Sequence, residues 1–219
     1  MTNMFKTVCA RGVIASARRA TRSLSGALCA VEIAALAVVA TGRVVGASNC
    51  DDLTGGGFIY VNGAQATFGV GGGCKNGSGT GTPPAPYWGH LEYQDHGTGL
   101  DVHGTSITAY QDWDNNGNDG HGQPVGRRLI CGAAKTTDPA HPNVYFAAVA
   151  ADHGEPGTTD TLEVLLTDTS ATYPYYDTGV QTLGGGAAQG GNLQLHKPNS
   201  STRSGVFGGS CPALAFEGF

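Results

Sequence analysis

The chain has 219 residues, of which 36 are glycine and only 13% are charged, with a formal net charge of −5. That composition excludes a coiled coil, a helical bundle and a highly charged disordered chain. A glycine inside a helix or strand costs roughly 0.5–1 kcal/mol relative to alanine, so this many glycines imply short elements between many turns and an all-β fold.

The N-terminal 47 residues differ from the rest. Lys6, Arg11, Arg18, Arg19, Arg22 and Arg43 stand there against a single acid, Glu32. A basic stretch to Arg22, an apolar run from about Ala27 to Ala40 and the small residues Val45-Gly46-Ala47 predict a signal peptide, residues 1–47, cleaved after Ala47. Cleavage after Ala40 is the alternative. A retained anchor is a further one, although Glu32 makes the run a poor membrane span. Arg18-Arg19 resembles a twin-arginine signal, but Ala20-Thr21-Arg22 follows where an apolar residue belongs. No stable membrane span is expected after cleavage.

From Ser48 onward six Lys/Arg face sixteen Asp/Glu, a balance of 6 − 16 = −10. Such a surface repels phosphate backbones, so nucleic acid is excluded as a partner. Four cysteines remain, Cys50, Cys74, Cys131 and Cys211. An even number in an exported chain predicts two disulfides, and no Cys-x-x-Cys spacing suggests zinc. Of the three possible connectivities, Cys50–Cys211 joining the chain ends and Cys74–Cys131 tying a loop to a strand are the expected pair.

Strands are predicted at Phe58 to Val61 and Ala64 to Val70, with Asn62-Gly63 as a tight hairpin turn between them. Gly71 to Pro86 is low-complexity and reads as a long loop. Further strands are expected at Trp88 to Tyr93, Leu100 to Tyr110, Leu129 to Ala134, Val144 to Ala151, Thr161 to Leu166 and Asn192 to His196. No stretch after Ala47 shows sustained helical periodicity. About eight strands over residues 48–198 predict one antiparallel β-sandwich or closed barrel, followed by a tail, residues 199–219, tied back by a cysteine. Asp95-His96-Gly97 and Asp152-His153-Gly154 both follow an apolar strand and suit turns, with Asp capping and Gly taking positive φ.

Six motifs stand in order: Thr54-Gly55-Gly56-Gly57-Phe58-Ile59, Ala66-Thr67-Phe68-Gly69, Gly89-His90-Leu91-Glu92-Tyr93-Gln94-Asp95-His96, Val102-His103-Gly104-Thr105-Ser106-Ile107-Thr108, Asp152-His153-Gly154-Glu155-Pro156-Gly157 and Gly191-Asn192-Leu193-Gln194-Leu195-His196. Together they resemble the post-COAP domain family of exported bacterial proteins over about Asp51 to Pro198. The resemblance implies a compact extracellular β domain and brings no reaction with it. The cysteines, the Gly71 to Pro86 loop, the Asp112 to Gly122 insertion and the tail after Asn199 depart from the family pattern.

The densest polar constellation is His90 and Glu92 on one strand with Asp101 and His103 on the next. Side chains alternate along a strand, so each pair shares a face. If Tyr93 pairs with Leu100, Glu92 faces Asp101 and His90 faces His103, at cross-strand distances that suit a metal with nitrogen and oxygen donors. A solvated polar face opposite a core face, or a catalytic acid/base pair, are the other readings. Asp112-Trp113-Asp114-Asn115-Asn116-Gly117, with Asp119 nearby, opens like a calcium loop, but Gln123 stands where a terminal glutamate belongs. Weak calcium binding by Asp112, Asp114, Asn116 and Asp119 is expected, with a polar hairpin tip as the alternative. Asp152, Glu155 and Asp160 suit a turn or a second weak calcium cluster. Ser106 lacks the flanking glycines of a nucleophile elbow. Trp88, and Tyr173, Tyr175 and Tyr176 in a loop, are candidates for stacking on sugar rings. These features predict a non-catalytic exported binding or structural module, with glycan as the candidate partner; the alternative is a metal-dependent hydrolase using His90, Glu92, Asp101 and His103.

Overall fold

The computed structural model describes residues 50–75, 87–168, 174–202 and 205–212. The predicted signal peptide, residues 76–86 of the predicted loop, and Tyr173 lie outside the described residues. The fold is all-β and antiparallel. Its strands are β1 (Asp52–Val61), β2 (Ala64–Cys74), β3 (Tyr87–Asp95), β4 (Leu100–Asn118), β5 (Pro124–Thr136), β6 (Asn143–Asp152), β7 (Thr161–Thr167), β8 (Tyr176–Asp177), β9 (Gln181–Thr182), β10 (Gly191–His196) and β11 (Gly208–Gly209), with a 3-10 turn over Leu183–Gly186. One sheet runs in the order β10-β1-β2-β3-β4-β5-β6-β7-β8, while β11 pairs with β4 and β9 with β7. Among the described residues no helix is long and apolar enough to cross a membrane.

The β1–β2 hairpin turns on Asn62 (φ 51°) and Gly63 (φ 84°), the two left-handed residues that an Asn-Gly hairpin needs. The glycines of β1 answer to β10. A Cβ on Gly55 would lie 2.3 Å from the Asn192 carbonyl oxygen, and one on Gly57 2.2 Å from that of Gly190. Only glycine lets β10 pair so closely, so β1 begins at Asp52, ahead of the expected start at Phe58.

Alternation builds the core. Leu53, Ile59, Leu91, Ile130, Phe146, Leu162 and Leu193 are fully buried on the concave side of the curled sheet. A smaller apolar layer on the other side joins Ala109, Leu129, Cys131, Ala147 and Val149, with Trp113 and Cys211 against it. At the open edge of β10 two buried carboxylates accept strand N–H groups: Leu193 N–H donates to Asp160 Oδ2 (2.8 Å) and Leu195 N–H to Asp152 Oδ2 (2.7 Å). Their second oxygens accept from His153 (2.9 Å) and Gly154 (2.7 Å) in the β6–β7 turn. Burial raises both pKa values above the ordinary carboxylate value, and these N–H donors offset part of the rise.

The disulfides are Cys50–Cys74 and Cys131–Cys211, which corrects the expected Cys50–Cys211 and Cys74–Cys131. Register decides them. Asp52 lies opposite Gly73, which leaves Cys50 beside Cys74 with Cα atoms 6.0 Å apart. Gly209 of β11 lies opposite Ala109, itself opposite Cys131, which brings Cys211 to Cys131 with Cα atoms 5.3 Å apart. Gly71 to Cys74, expected in a loop, extend β2.

The predicted insertion at Asp112 is also strand, because β4 continues to Asn118 against β5. Arg128, 1% exposed, explains the continuation: its Nη2 and Nε donate to Asp51 (2.5 and 3.0 Å) and its Nη1 to Asp112 (2.9 Å). Tyr110 O–H donates to the same Asp51 carboxylate (2.9 Å), and the Phe207 ring centroid lies 5.3 Å from the guanidinium carbon.

Candidate functional site: a polar groove on the convex face of β2 to β5

His90, Glu92 and Gln94 alternate with the buried Leu91 and Tyr93, so the β3 residues expected to share a face do so. Their partners across β4 differ from the expectation. Tyr93 pairs with Val102, not Leu100, so Glu92 meets His103 and Gln94 meets Asp101. His90 meets His103 in the predicted register; here it lies opposite Gly71 of β2.

The cause is Asp95. Its carboxylate accepts from the N–H groups of Gly97 (2.8 Å) and Thr98 (3.3 Å) and from the Thr98 hydroxyl (2.9 Å), closing the turn so that Asp95 sits opposite Leu100. The slip is two residues, so every side chain keeps its face while every pair changes. Burial pushes the Asp95 carboxyl up, but bonds from Thr98, Gly97 and Tyr176 outweigh it and hold the pKa below the ordinary value.

His103 Nδ1 lies 2.5 Å from Glu92 Oε1, with side chains 67% and 53% exposed. At that exposure the pair orients the groups more than it stabilises the fold, contributing at most about 1 kcal/mol. Around it opens a groove of about 460 Å³ lined by Thr67, Gln94, Asp101, Lys135, Thr136 and Thr137, among others. Lys135 stands opposite His103, and the Asp101 N–H donates to Thr137 Oγ1 (2.8 Å).

A second cavity of about 380 Å³ shares Thr137 and is lined by Thr98, Asp138, Pro139, Tyr175 and Tyr176. Both tyrosines are half-buried against the core, which corrects the reading of a wholly loop-borne aromatic run. Tyr93 O–H donates to Tyr176 Oη (2.6 Å), whose own O–H donates to Asp95 Oδ2 (2.9 Å). Burial pushes the Tyr93 pKa up to about 12 and that of Tyr176 higher still. The Tyr175 ring stacks on His141 (centroids 3.9 Å apart), and His141 Nδ1 bonds Asp168 (2.6 Å). Sequence reasoning missed the groove residues Thr67, Gln94, Lys135 and Thr137: Thr67 and Gln94 stand in two of the six motifs but were given no role there, and Lys135 and Thr137 stand in none.

The expected calcium ligands are engaged elsewhere. Asp112 accepts from Arg128, and Asp114 accepts from Arg127 Nε (2.6 Å) and Arg127 N–H (2.8 Å). Asn116 Nδ2 donates to Asp114 (3.3 Å), and Asp119 accepts the N–H groups of His121 (2.8 Å) and Gln123 (2.7 Å). Among the described residues no group of three or more His, Cys, Asp or Glu side chains is arranged to hold a metal ion. What the groove offers is hydroxyl, amide, carboxylate, imidazole and ammonium groups on a rigid sheet, beside two tyrosine rings.

Comparison with known proteins finds no matching family model, no similar curated protein and no similar solved structure. The likeness to the post-COAP domain family therefore rests on the six motifs alone.

Proposed function

We propose that this protein is an exported, non-catalytic binding module that holds a neutral glycan along the convex groove of β2 to β5. The observation that carries the reading is a pair of cavities that share Thr137 among their lining residues: one on the outer face, ringed by side chains that donate and accept hydrogen bonds, the other lined by Tyr175 and Tyr176, whose rings pack partly on the core. Sugars need both, because hydroxyls pair with polar side chains while the apolar face of the ring lies on an aromatic. Two disulfides suit an oxidising compartment, as does the predicted signal peptide. The resemblance to the post-COAP domain family supports an extracellular β domain.

The same reading takes the curled sheet as a barrel whose seam is sealed by side chains. Asp152 and Asp160 do for the free edge of β10 what a neighbouring strand would do. Calcium at Asp112 and Asp114 would have to compete with Arg128 and Arg127, which pair with those carboxylates.

The experiment is a glycan microarray probed with mature protein, residues 48–219, alongside Asp101→Ala and Gln94→Ala. Wild type is expected to retain a set of neutral glycans and both variants to lose it. Binding by the variants equal to wild type, or no binding by any form, contradicts the proposal.

A further inference from the structure

We infer that the site extends past the groove onto β6, where Tyr145 is the stacking platform of a second sugar subsite, so that the ligand is an oligosaccharide rather than a single sugar. The inference rests on the glycan reading above and adds a residue and a ligand length to it.

Tyr145 is 41% exposed, one of two well-exposed tyrosines among the described residues, with Tyr60 at 46%. It lines a cavity of about 490 Å³ with Thr105, Ala133, Lys135, Asn143 and Asp168. Lys135 also lines the central groove, so the two cavities share that residue as the first two share Thr137. Register makes the belt continuous. Glu92 lies opposite His103, His103 opposite Lys135, and Lys135 opposite Asn143. With strands about 4.8 Å apart, this row crosses about 14 Å of sheet, longer than one sugar ring. The residue opposite Tyr145 is Ala133, whose methyl group leaves the tyrosine ring open on the β5 side. The hydroxyl of Thr105 donates to the Ala133 carbonyl (3.1 Å), which fixes the cavity wall.

Chemistry selects the ligand class. The belt carries the carboxylates of Glu92, Asp101, Asp138 and Asp168 against the one ammonium of Lys135, so an acidic polysaccharide would be repelled. A peptide adding as a strand is equally unsuited, because β3, β4, β5 and β6 are interior strands with both edges paired. A neutral chain of sugar rings lying across the strands meets hydroxyl, amide and aromatic groups along its whole length.

The test is calorimetric titration of mature protein with glucose, mannose and N-acetylglucosamine oligomers of two to six rings. Wild type, Tyr145→Ala, Tyr145→Phe and Gln94→Ala are compared, with circular dichroism as the folding control. Wild type is expected to bind the longer members of at least one ladder about tenfold more tightly than the dimer. Tyr145→Ala should erase that gain while leaving dimer affinity unchanged, and Tyr145→Phe should keep it. If Tyr145→Ala keeps the length dependence while Gln94→Ala abolishes binding, the groove reading stands and this inference falls. If wild type binds none of the oligomers, both fall.

Discussion

Glu163 offers the sharpest test of the packing. It lies on β7 opposite Val149, is 1% exposed, and among the described residues neither carboxyl oxygen has a hydrogen-bond partner. The nearby charge is unhelpful, since Asp177 on β8 repels a second carboxylate. Burial first, and Asp177 second, raise its pKa from the ordinary 4.5 to about 7. The folded state therefore holds this proton more tightly than the unfolded chain. Its contribution to stability is fully present below the unfolded value and is lost as pH rises through about 7. A shift of that size, at 1.36 kcal/mol per pKa unit, amounts to about 3 kcal/mol between the acidic and alkaline ends of the window. Glu163→Leu removes the titration and keeps most of the volume. In urea unfolding measured from about pH 4 to about pH 8, the variant should gain on wild type by about 3 kcal/mol more at the alkaline end than at the acidic end. Parallel stability curves for the two proteins would refute the reasoning, because they would mean that the carboxyl is ionised and solvated in the folded state.

Other consequences are as direct. Arg128→Met strands the Asp51 carboxylate and should cost about 3–5 kcal/mol by chemical denaturation, with part of the loss recovered in Asp51→Asn/Arg128→Met. Asp160→Ala leaves the buried N–H of Leu193 and the part-buried N–H of His153 without acceptors; a loss of roughly 2 kcal/mol is expected, with faster amide exchange at Leu193. Peptide mapping without reduction should recover Cys50–Cys74 and Cys131–Cys211. Because the second bond closes the longer loop, 80 residues against 24, its removal should cost about 4 kcal/mol against about 3 for the first.

What the sequence revealed and what it hid divide along local and non-local physics. The Asn62-Gly63 hairpin was legible because two left-handed residues in a row admit few alternatives, and the strands flanking it alternate cleanly. The start of β1 was not, since the glycines that look like a turn are those that tolerate β10. The length of β4 was hidden in the same way. Asp112 and Asp114 read as a polar tip until Arg128 and Arg127 of β5 are placed across from them.

At the site, alternation alone put His90 and Glu92 together on one face. Pairing across strands depends on register, and register here follows the hydrogen bonds of the Asp95 turn, which fix Glu92 opposite His103. Lys135 and Tyr145 join the belt only through the pairing of β5 with β4 and of β6 with β5.

The central claim is that the convex groove is where the ligand is held. Backbone amide shifts of isotopically labelled protein, residues 48–219, followed while a glycan retained on the array is added, test it most directly. The account predicts shifts concentrated at Thr67, Gln94, Asp101, Lys135 and Thr137, with none in the β6–β7 turn around Gly154 and Gly157. Shifts confined to that turn, or to the Asp112-to-Asp119 segment, would contradict it.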